Sequence, residues 1–354
     1  MVRGAGAAAT ETLRSTGLRY AARRLLDDAA LRLRGVSRAH DVYLDIWSRA
    51  ARELGAQVIE LPDGALEIRR GDRVTRVRDH RVTLDDDAPE GDKAGSLERL
   101  RSAGLRVPEH LELRASDPGP ALDFLQRTGS AGVVKPVGTG GGNGVTTGVM
   151  SARALERAIR RAGRFSSRFL VESQARGDAY RFLVLDGELI DVVRRRAPTL
   201  TGDGRSSVRK LLVAENRRRQ RAGGAAGWAV LKADLDAELT LERQGLSLRS
   251  VPAPGASFTV KTVNNRTRPE DAETVREPLA PALVAEVLEA ARLSSLRLAG
   301  VDVVTPDLDR SLAESGGVIL EVNRDPSPHH HYQVADPERA TRVAVPILER
   351  LLSG

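Results

Sequence analysis

The chain has 354 residues and a formal charge of +7, with 41% apolar and 29% charged residues. That length supports a large core in two or three packed domains, and that balance excludes a disordered tail or a fibre. Cysteine is absent, which removes disulfides, thiolate catalysis and cysteine-held metal, and no apolar run reaches the roughly 18 residues a spanning helix needs.

The expected address is the cytoplasm, and a membrane is not an expected partner. Only 3% of residues are aromatic, leaving few rings on which bases stack, so nucleic acid is not an expected partner either. Five of the 55 basic residues are lysine, namely Lys93, Lys135, Lys210, Lys232 and Lys261. Most of the arginines read as solvated surface.

Along the chain, Leu18, Ala21, Ala22, Leu25, Leu26, Ala29, Ala30 and Leu33 recur at helical spacing, predicting a docked surface helix. A helix over 41–54 ends at Gly55, and strands follow over 57–61, 65–69 and 73–77. The acidic, Pro- and Gly-broken stretch 85–92 marks a domain boundary. Helices are predicted at 93–103 and 119–128, a strand at 132–135, a glycine loop, a strand at 145–149, a helix at 151–162 and a strand at 169–172. Strands at 180–185 and 188–194 lead to a helix near 206–221 and a Gly/Ala run that reads as a loop. A helix over 279–297, strands over 300–304 and 317–323, and a helix over 337–352 close the chain. Such interleaving favours an α/β or α+β chain.

Two constellations carry chemistry. In Val133-Val134-Lys135-Pro136, followed by Val137-Gly-Thr-Gly-Gly-Gly-Asn-Gly144, a strand delivers a lysine into a glycine-rich loop. Glycines permit positive φ and close approach, so successive N–H groups can converge on an anion beside the lysine charge. The lysine precedes the glycines, so this is not a Walker A loop. Taken alone, such a loop is either a phosphate cradle or a flexible turn. The second constellation is Val301-Asp302-Val303-Val304 and Val318-Ile319-Leu320-Glu321-Val322-Asn323, two strands joined in hairpin fashion. Glu321 and Asn323 share a face because side chains alternate along a strand, and Asp302 joins them if the register allows. Two carboxylates and an amide oxygen are hard ligands suited to Mg²⁺. The run His329-His330-His331 reads as a substrate-lining or solvated loop, since adjacent histidines do not readily converge on one ion.

From about Asp92 onward the chain resembles ATP-grasp ligases, in particular the ATP-grasp portion of cyanophycin synthetases. The matching stretches run in order: Asp92-Lys93, Ala103–Pro108, Val133–Thr146, Val171-Glu172, Tyr180-Arg181, Arg194-Arg195, Thr201–Ser206, Gln244-Gly245, Val301-Asp302 and Ile319–Asn323. The resemblance implies an ATP-grasp fold with a small α/β N-terminal domain (1–90), a central lid subdomain (91–176) and a C-terminal subdomain (177–354). It implies ATP and two Mg²⁺ ions as cofactors. Lys93 and Lys135 would meet the ATP phosphates, the loop of Gly140, Gly141, Gly142 and Gly144 would cover them, and Glu172 would lie beside the adenine. Asp178 would take the ribose, one position from the family's acid. Asp302, Glu321 and Asn323 would hold the metal, and Arg194, Lys261 and Asn265 would act near the transferred phosphoryl group or the substrate carboxylate.

The implied activity is ATP-dependent ligation of an amino-acid or peptide carboxylate to an amine through an acyl phosphate. A catalytically silent nucleotide-binding or interaction module is the alternative. Two departures stand out: Arg266-Thr267-Arg268-Pro269 follows Asn265 in place of the family's Ser-Thr-Gly-Gly, and Arg324-Asp325-Pro326-Ser327-Pro328 follows Asn323 in place of a small-residue turn. Cyanophycin synthetases continue into a second ligase domain, and this sequence stops at Gly354, so the polymer is not the expected product. Expected partners are small amino-acid or peptide substrates, with a homodimer left open.

Overall fold

The computed structural model describes residues 40–82, 84, 93–114, 117–222, 230–263 and 269–353, with the side chains of Lys93 and Ala222 outside the description. The helix expected at 18–33, the stretch 85–92, the Gly/Ala run 223–227 and Asn265 lie outside the described residues.

Helix α1 (His40–Glu53) buries Tyr43, Ile46, Trp47, Ala50 and Ala51, one stripe at helical spacing. Burying each large side chain on this stripe contributes about 1.5–3 kcal/mol. Strands β1 (Gln57–Glu60), β2 (Leu66–Arg70) and β3 (Arg73–Val77) form an antiparallel meander. Helix α2 (Lys93–Ser102) follows, then β4 (His110–Arg114), α3 (Gly119–Thr128), β5 (Gly132–Pro136), β6 (Thr146–Val149), α4 (Ala152–Ala162) and β7 (Arg168–Ser173). These strands make a four-stranded sheet in the order β4-β7-β5-β6.

Strands β8 (Asp178–Leu185), β9 (Glu188–Arg195) and β10 (Thr199–Thr201) lead to helices α5 (Val208–Ala222) and α6 (Leu235–Glu242). Then come β11 (Ser257–Thr259), β12 (Ala272–Thr274), α7 (Pro281–Leu293), β13 (Leu298–Thr305), α8 (Leu312–Ser315), β14 (Val318–Arg324), α9 (His329–Tyr332) and α10 (Ala344–Ser353). The principal sheet has the order β12-β9-β8-β13-β14, and β10 pairs with β11 alone.

Every strand pairing among the described residues is antiparallel. The expected α/β alternatives therefore resolve to α+β, helices packed on antiparallel sheets. The last helix starts at Ala344 rather than 337 for a local reason: Pro346 is tolerated only within a first turn.

The two faces of the principal sheet have different partners. On one face Tyr180, Phe182, Val301 and Val303 pack under α7, through Leu283 and Val287, and Leu100 of α2 joins that core. On the other, Leu183, Leu185 and Leu298 pack against Tyr43, Ile46 and Trp47 of α1 and Ile347 and Leu348 of α10. The N-terminal meander and the C-terminal helix thus share one core on one face of this sheet. Asp236, fully buried, ties the four-stranded sheet to the following segment. Its Oδ1 accepts from the N–H and hydroxyl of Thr147 (3.0 and 2.7 Å), and its Oδ2 accepts from the N–H groups of Thr262 and Val263 (3.1 and 3.0 Å). No helix among the described residues is long and apolar enough to cross a membrane.

Candidate functional site

A cleft of about 710 Å³ is lined by both large sheets. Strand β5 presents Val133 and Lys135 to it, and β7 presents Glu172; Val133 pairs directly with Glu172 in the register, which puts all three side chains on one face. Lys135 Nζ lies 2.5 Å from Glu172 Oε2, while Glu172 Oε1 is buried without a hydrogen-bond partner among the described residues. A buried acceptor left unmet costs about 1–3 kcal/mol, so this oxygen suits a donor arriving from the cleft.

The loop between β5 and β6 bends over this wall. Its backbone is left-handed at Gly138, Gly141, Gly142 and Gly144, conformations a side chain resists. Gly140, Gly141 and Gly142 line the cleft; Gly144 does not, because it packs back toward Pro136 and Phe165.

The opposite wall is the principal sheet. Asp302 of β13 pairs directly with Glu321 of β14 and with Arg181 of β8, and Asn323 lies two residues beyond Glu321. All four line the cleft. Asn323 Nδ2 donates to Asp302 Oδ2 at 3.2 Å, so the amide and the carboxylate are adjacent. Two guanidiniums grip the same carboxylate. Arg181 is bidentate, with Nε to Oδ1 at 2.7 Å and Nη2 to Oδ2 at 2.8 Å, and Arg195 Nη2 reaches Oδ1 at 2.5 Å.

Burial alone would raise the Asp302 carboxyl; the guanidiniums outweigh it and hold it below the usual carboxylate range. Burial lowers Arg195, with Asp302 opposing. Gly300 makes the arrangement possible, because a Cβ there would stand 2.7 Å from both Arg181 Nη1 and Pro326 Cβ.

Among the described residues no three His, Cys, Asp or Glu side chains converge as a metal site. The set Asp302, Glu321 and Asn323 is two carboxylates and one amide oxygen on adjacent strands. This donor chemistry fits a hard cation such as Mg²⁺.

Other expected residues fall elsewhere. Arg194 is paired with Tyr180 across β8 and β9, on the face opposite the cleft. It donates to Tyr180 Oη (3.1 Å), Glu273 Oε1 (2.7 Å) and Glu277 Oε1 (2.9 Å). Strand alternation is the reason: Arg195, one residue on, faces the cleft, and Arg196, just past the end of β9, lines it as well. Lys261 is buried 2.9 Å from Asp234 Oδ2, an oxygen shared with Arg161 Nη2 at 2.9 Å, behind the glycine loop rather than in the cleft. Asp178 lines the cleft and stands 3.6 Å from Arg194 Nε. Lys93 opens α2 with its side chain outside the description, and Asn265 lies outside the described residues.

The triple histidine is a single helical turn, α9, and not a solvated loop. Its rings have different partners. His331 is fully buried with Nδ1 2.7 Å from Asp191 Oδ2, and His329 Nδ1 meets Tyr43 Oη at 2.8 Å. His330 stacks on His329 (centroids 4.0 Å apart) and lines the cleft. His80, from the turn after β3, lines it as well. Arg195 and His80 carried no assigned role in the sequence, whereas His330 was read within the histidine run as substrate-lining or solvated. Arg195 was visible only as part of a run of three arginines, and His80 is 250 residues from His330, which lines the same cleft.

No family model matches the chain. It is similar to a cyanophycin synthetase of Synechocystis sp., 31% identical over 271 residues that cover 73% of this chain and 30% of the relative. A glutathione biosynthesis bifunctional protein of Desulfotalea psychrophila is 27% identical over 236 residues, 66% of this chain and 30% of that protein. The chain therefore spans about 30% of the length of these curated relatives. Among solved structures, a bifunctional glutathione synthetase from Pasteurella multocida aligns with a TM-score of 0.51 and 19% identity, covering 87% of this chain and 43% of that one. The fold is ATP-grasp, and the sequence resembles the ATP-grasp portion of cyanophycin synthetases.

Proposed function

We propose that this chain is an ATP- and Mg²⁺-dependent ligase that joins an amino-acid or peptide carboxylate to an amine and releases ADP and phosphate. One observation carries the reading: a single cleft sets Lys135, the glycine loop and Glu172 on one wall against Asp302, Glu321, Asn323, Arg181 and Arg195 on the other.

In this reading the glycine loop and Lys135 take the phosphates, and the Lys135–Glu172 pair opens as they arrive. Glu172 Oε1 then accepts from the adenine amino group. Asp302, Glu321 and Asn323 would hold Mg²⁺, two ions in this reading, and the metal would supply positive charge to offset that of the phosphates. The substrate carboxylate takes the γ-phosphoryl group, giving an acyl phosphate and ADP. Arg195 and Arg181, both already fixed by Asp302, face the charge that develops on the transferred oxygens. Arg195 replaces Arg194 in this role because Arg194 lies on the other face of the sheet. The amine then attacks the acyl carbon, phosphate leaves, and closure of the glycine loop keeps water from competing.

The test is phosphate release from ATP and Mg²⁺ with a pooled amino-acid panel. Release that depends on particular amino acids, with a product one condensation heavier by mass spectrometry, is the expected result. ATP binding with no amino-acid-dependent release from any pool, dipeptides included, would overturn the reading.

A further inference from the structure

The ligase reading leaves one end of the cleft unused. Beyond the proposed metal residues it is lined by His80, Asp325, Ser327 and His330. Three of these belong to the segment after Asn323, where the sequence departs from the family, and the fourth comes from the N-terminal meander. The meander reaches this far because its core packs on the same face of the principal sheet that carries Arg181 and Asp302. Trp47 Nε1 donates to the carbonyl of Asp79 at 2.7 Å, and Asp79 itself is left-handed (φ 53°), which turns the next residue, His80, inward.

Tyr43 knits the two histidine-bearing segments together. Its ring lies 5.9 Å from that of His80 and 5.7 Å from that of His329, and its hydroxyl is bound to His329 Nδ1. His329 in turn stacks on His330.

We propose that this end of the cleft is the acceptor subsite, where a primary ammonium group docks on Asp325, His80 and His330. The inference rests on the ligase reading and adds the class of the second substrate. Three features carry it. Asp325 places a carboxylate at the cleft, and Arg324 Nε approaches only its Oδ2, at 3.4 Å. Burial holds the imidazoles of His80 and His330 below their ordinary range, so both stay neutral near pH 7 and offer a ring nitrogen as acceptor. Finally, the subsite adjoins Asn323 and Arg195, so an amine held here lies beside the carbon of the acyl phosphate. A cationic head therefore meets one carboxylate and two neutral acceptors, whereas the arginines of the metal wall favour anions. The docked ammonium first gives one proton to solvent, which frees its lone pair. The nitrogen then forms its bond to the acyl carbon, the carbon–oxygen bond to phosphate breaks, and a second nitrogen proton passes to the departing phosphate.

Hydroxylamine separates this site from the rest of the enzyme, because it is uncharged at pH 7 and captures acyl phosphate without an ammonium contact. The intact chain, with ATP, Mg²⁺ and the amino-acid panel, is assayed for hydroxamate and for amide, alongside His330→Ala, His80→Gln and Asp325→Asn. The expected result is a fall of at least tenfold in the amide-to-hydroxamate ratio in each variant, with a raised KM for the amine. His80→Gln keeps an acceptor and should fall least, which a merely structural loss would not reproduce. An unchanged ratio in variants that still form hydroxamate would overturn the acceptor subsite and leave the ligase reading standing. Absence of both hydroxamate and amide from the unaltered chain would overturn the ligase reading and this inference with it.

Discussion

Glu321→Gln is expected to lower kcat for phosphate release on the order of 10³-fold while leaving the melting temperature nearly unchanged. In the proposed reading the substitution removes a charged metal oxygen yet keeps the side chain's size in a half-buried position. Asp302→Asn should lose as much activity and fail differently. Its carboxylate compensates two guanidiniums, Arg181 and Arg195, that are nearly buried. Removing one partner of a buried ion pair typically costs about 3–5 kcal/mol, because the remaining charge is stranded. Measuring kcat and melting temperature for both variants separates the two roles. Equal stability losses would mean that Glu321 is a structural partner of the arginines and not a metal ligand.

Acidification should destabilise the chain well before its carboxylates titrate. Burial, with His80, His331 and Arg181 adding repulsion, pushes His329 down to about 3, and burial with neighbouring positive charge pushes His330 well below the ordinary value. In the unfolded chain both rings titrate near about 6.5. Below that pH the unfolded state binds protons that the folded state refuses, so stability falls as pH falls, and continues to fall until the folded rings themselves protonate. Each refused proton costs about 1.4 kcal/mol per pH unit, so two cost about 2.7 kcal/mol per unit. The unfolded rings are half protonated at about pH 6.5, so between pH 6.5 and 5 this amounts to about 3 kcal/mol, a large share of the roughly 5–15 kcal/mol of an ordinary domain. Melting temperatures across that range should drop steeply, and His329→Gln should shallow the slope by about one proton. A flat profile from pH 7 to 5 would show that α9 opens or that its rings are solvated.

Legibility of the fold in the sequence followed the strength of local pattern. The strand 73–77 and the helix 119–128 have the boundaries that periodicity and punctuation predict. Helix α6 escaped because Leu235, Asp236, Ala237, Leu239, Thr240 and Leu241 are all buried, which erases the amphipathic period. The short strands β11 and β12 escaped because three residues carry no period at all.

At the site, the Asp302–Glu321–Asn323 set was readable because alternation on two strands is a local rule. Which arginine of the run Arg194-Arg195-Arg196 faces the cleft could not be read, because such a run gives no phase. Only the pairing of Arg195 with Ala179, beside Arg181 on the cleft face, supplies it. The position of His80 at the cleft could not be read, since it depends on how the meander docks on the sheet. Lys261 illustrates the converse. The resemblance implies a role near the transferred phosphoryl group, yet its charge meets Asp234 together with Arg161 behind the glycine loop.

The central claim is that a substrate carboxylate is phosphorylated by ATP before the amine attacks. Its most direct measurement uses the amino-acid panel with carboxylates labelled in ¹⁸O, followed by mass spectrometry of the phosphate released. The account predicts one labelled oxygen in each phosphate formed during ligation, because the carboxylate oxygen leaves with phosphorus. Unlabelled phosphate accompanying labelled product would contradict it, since the carboxylate would then have been activated in some other way.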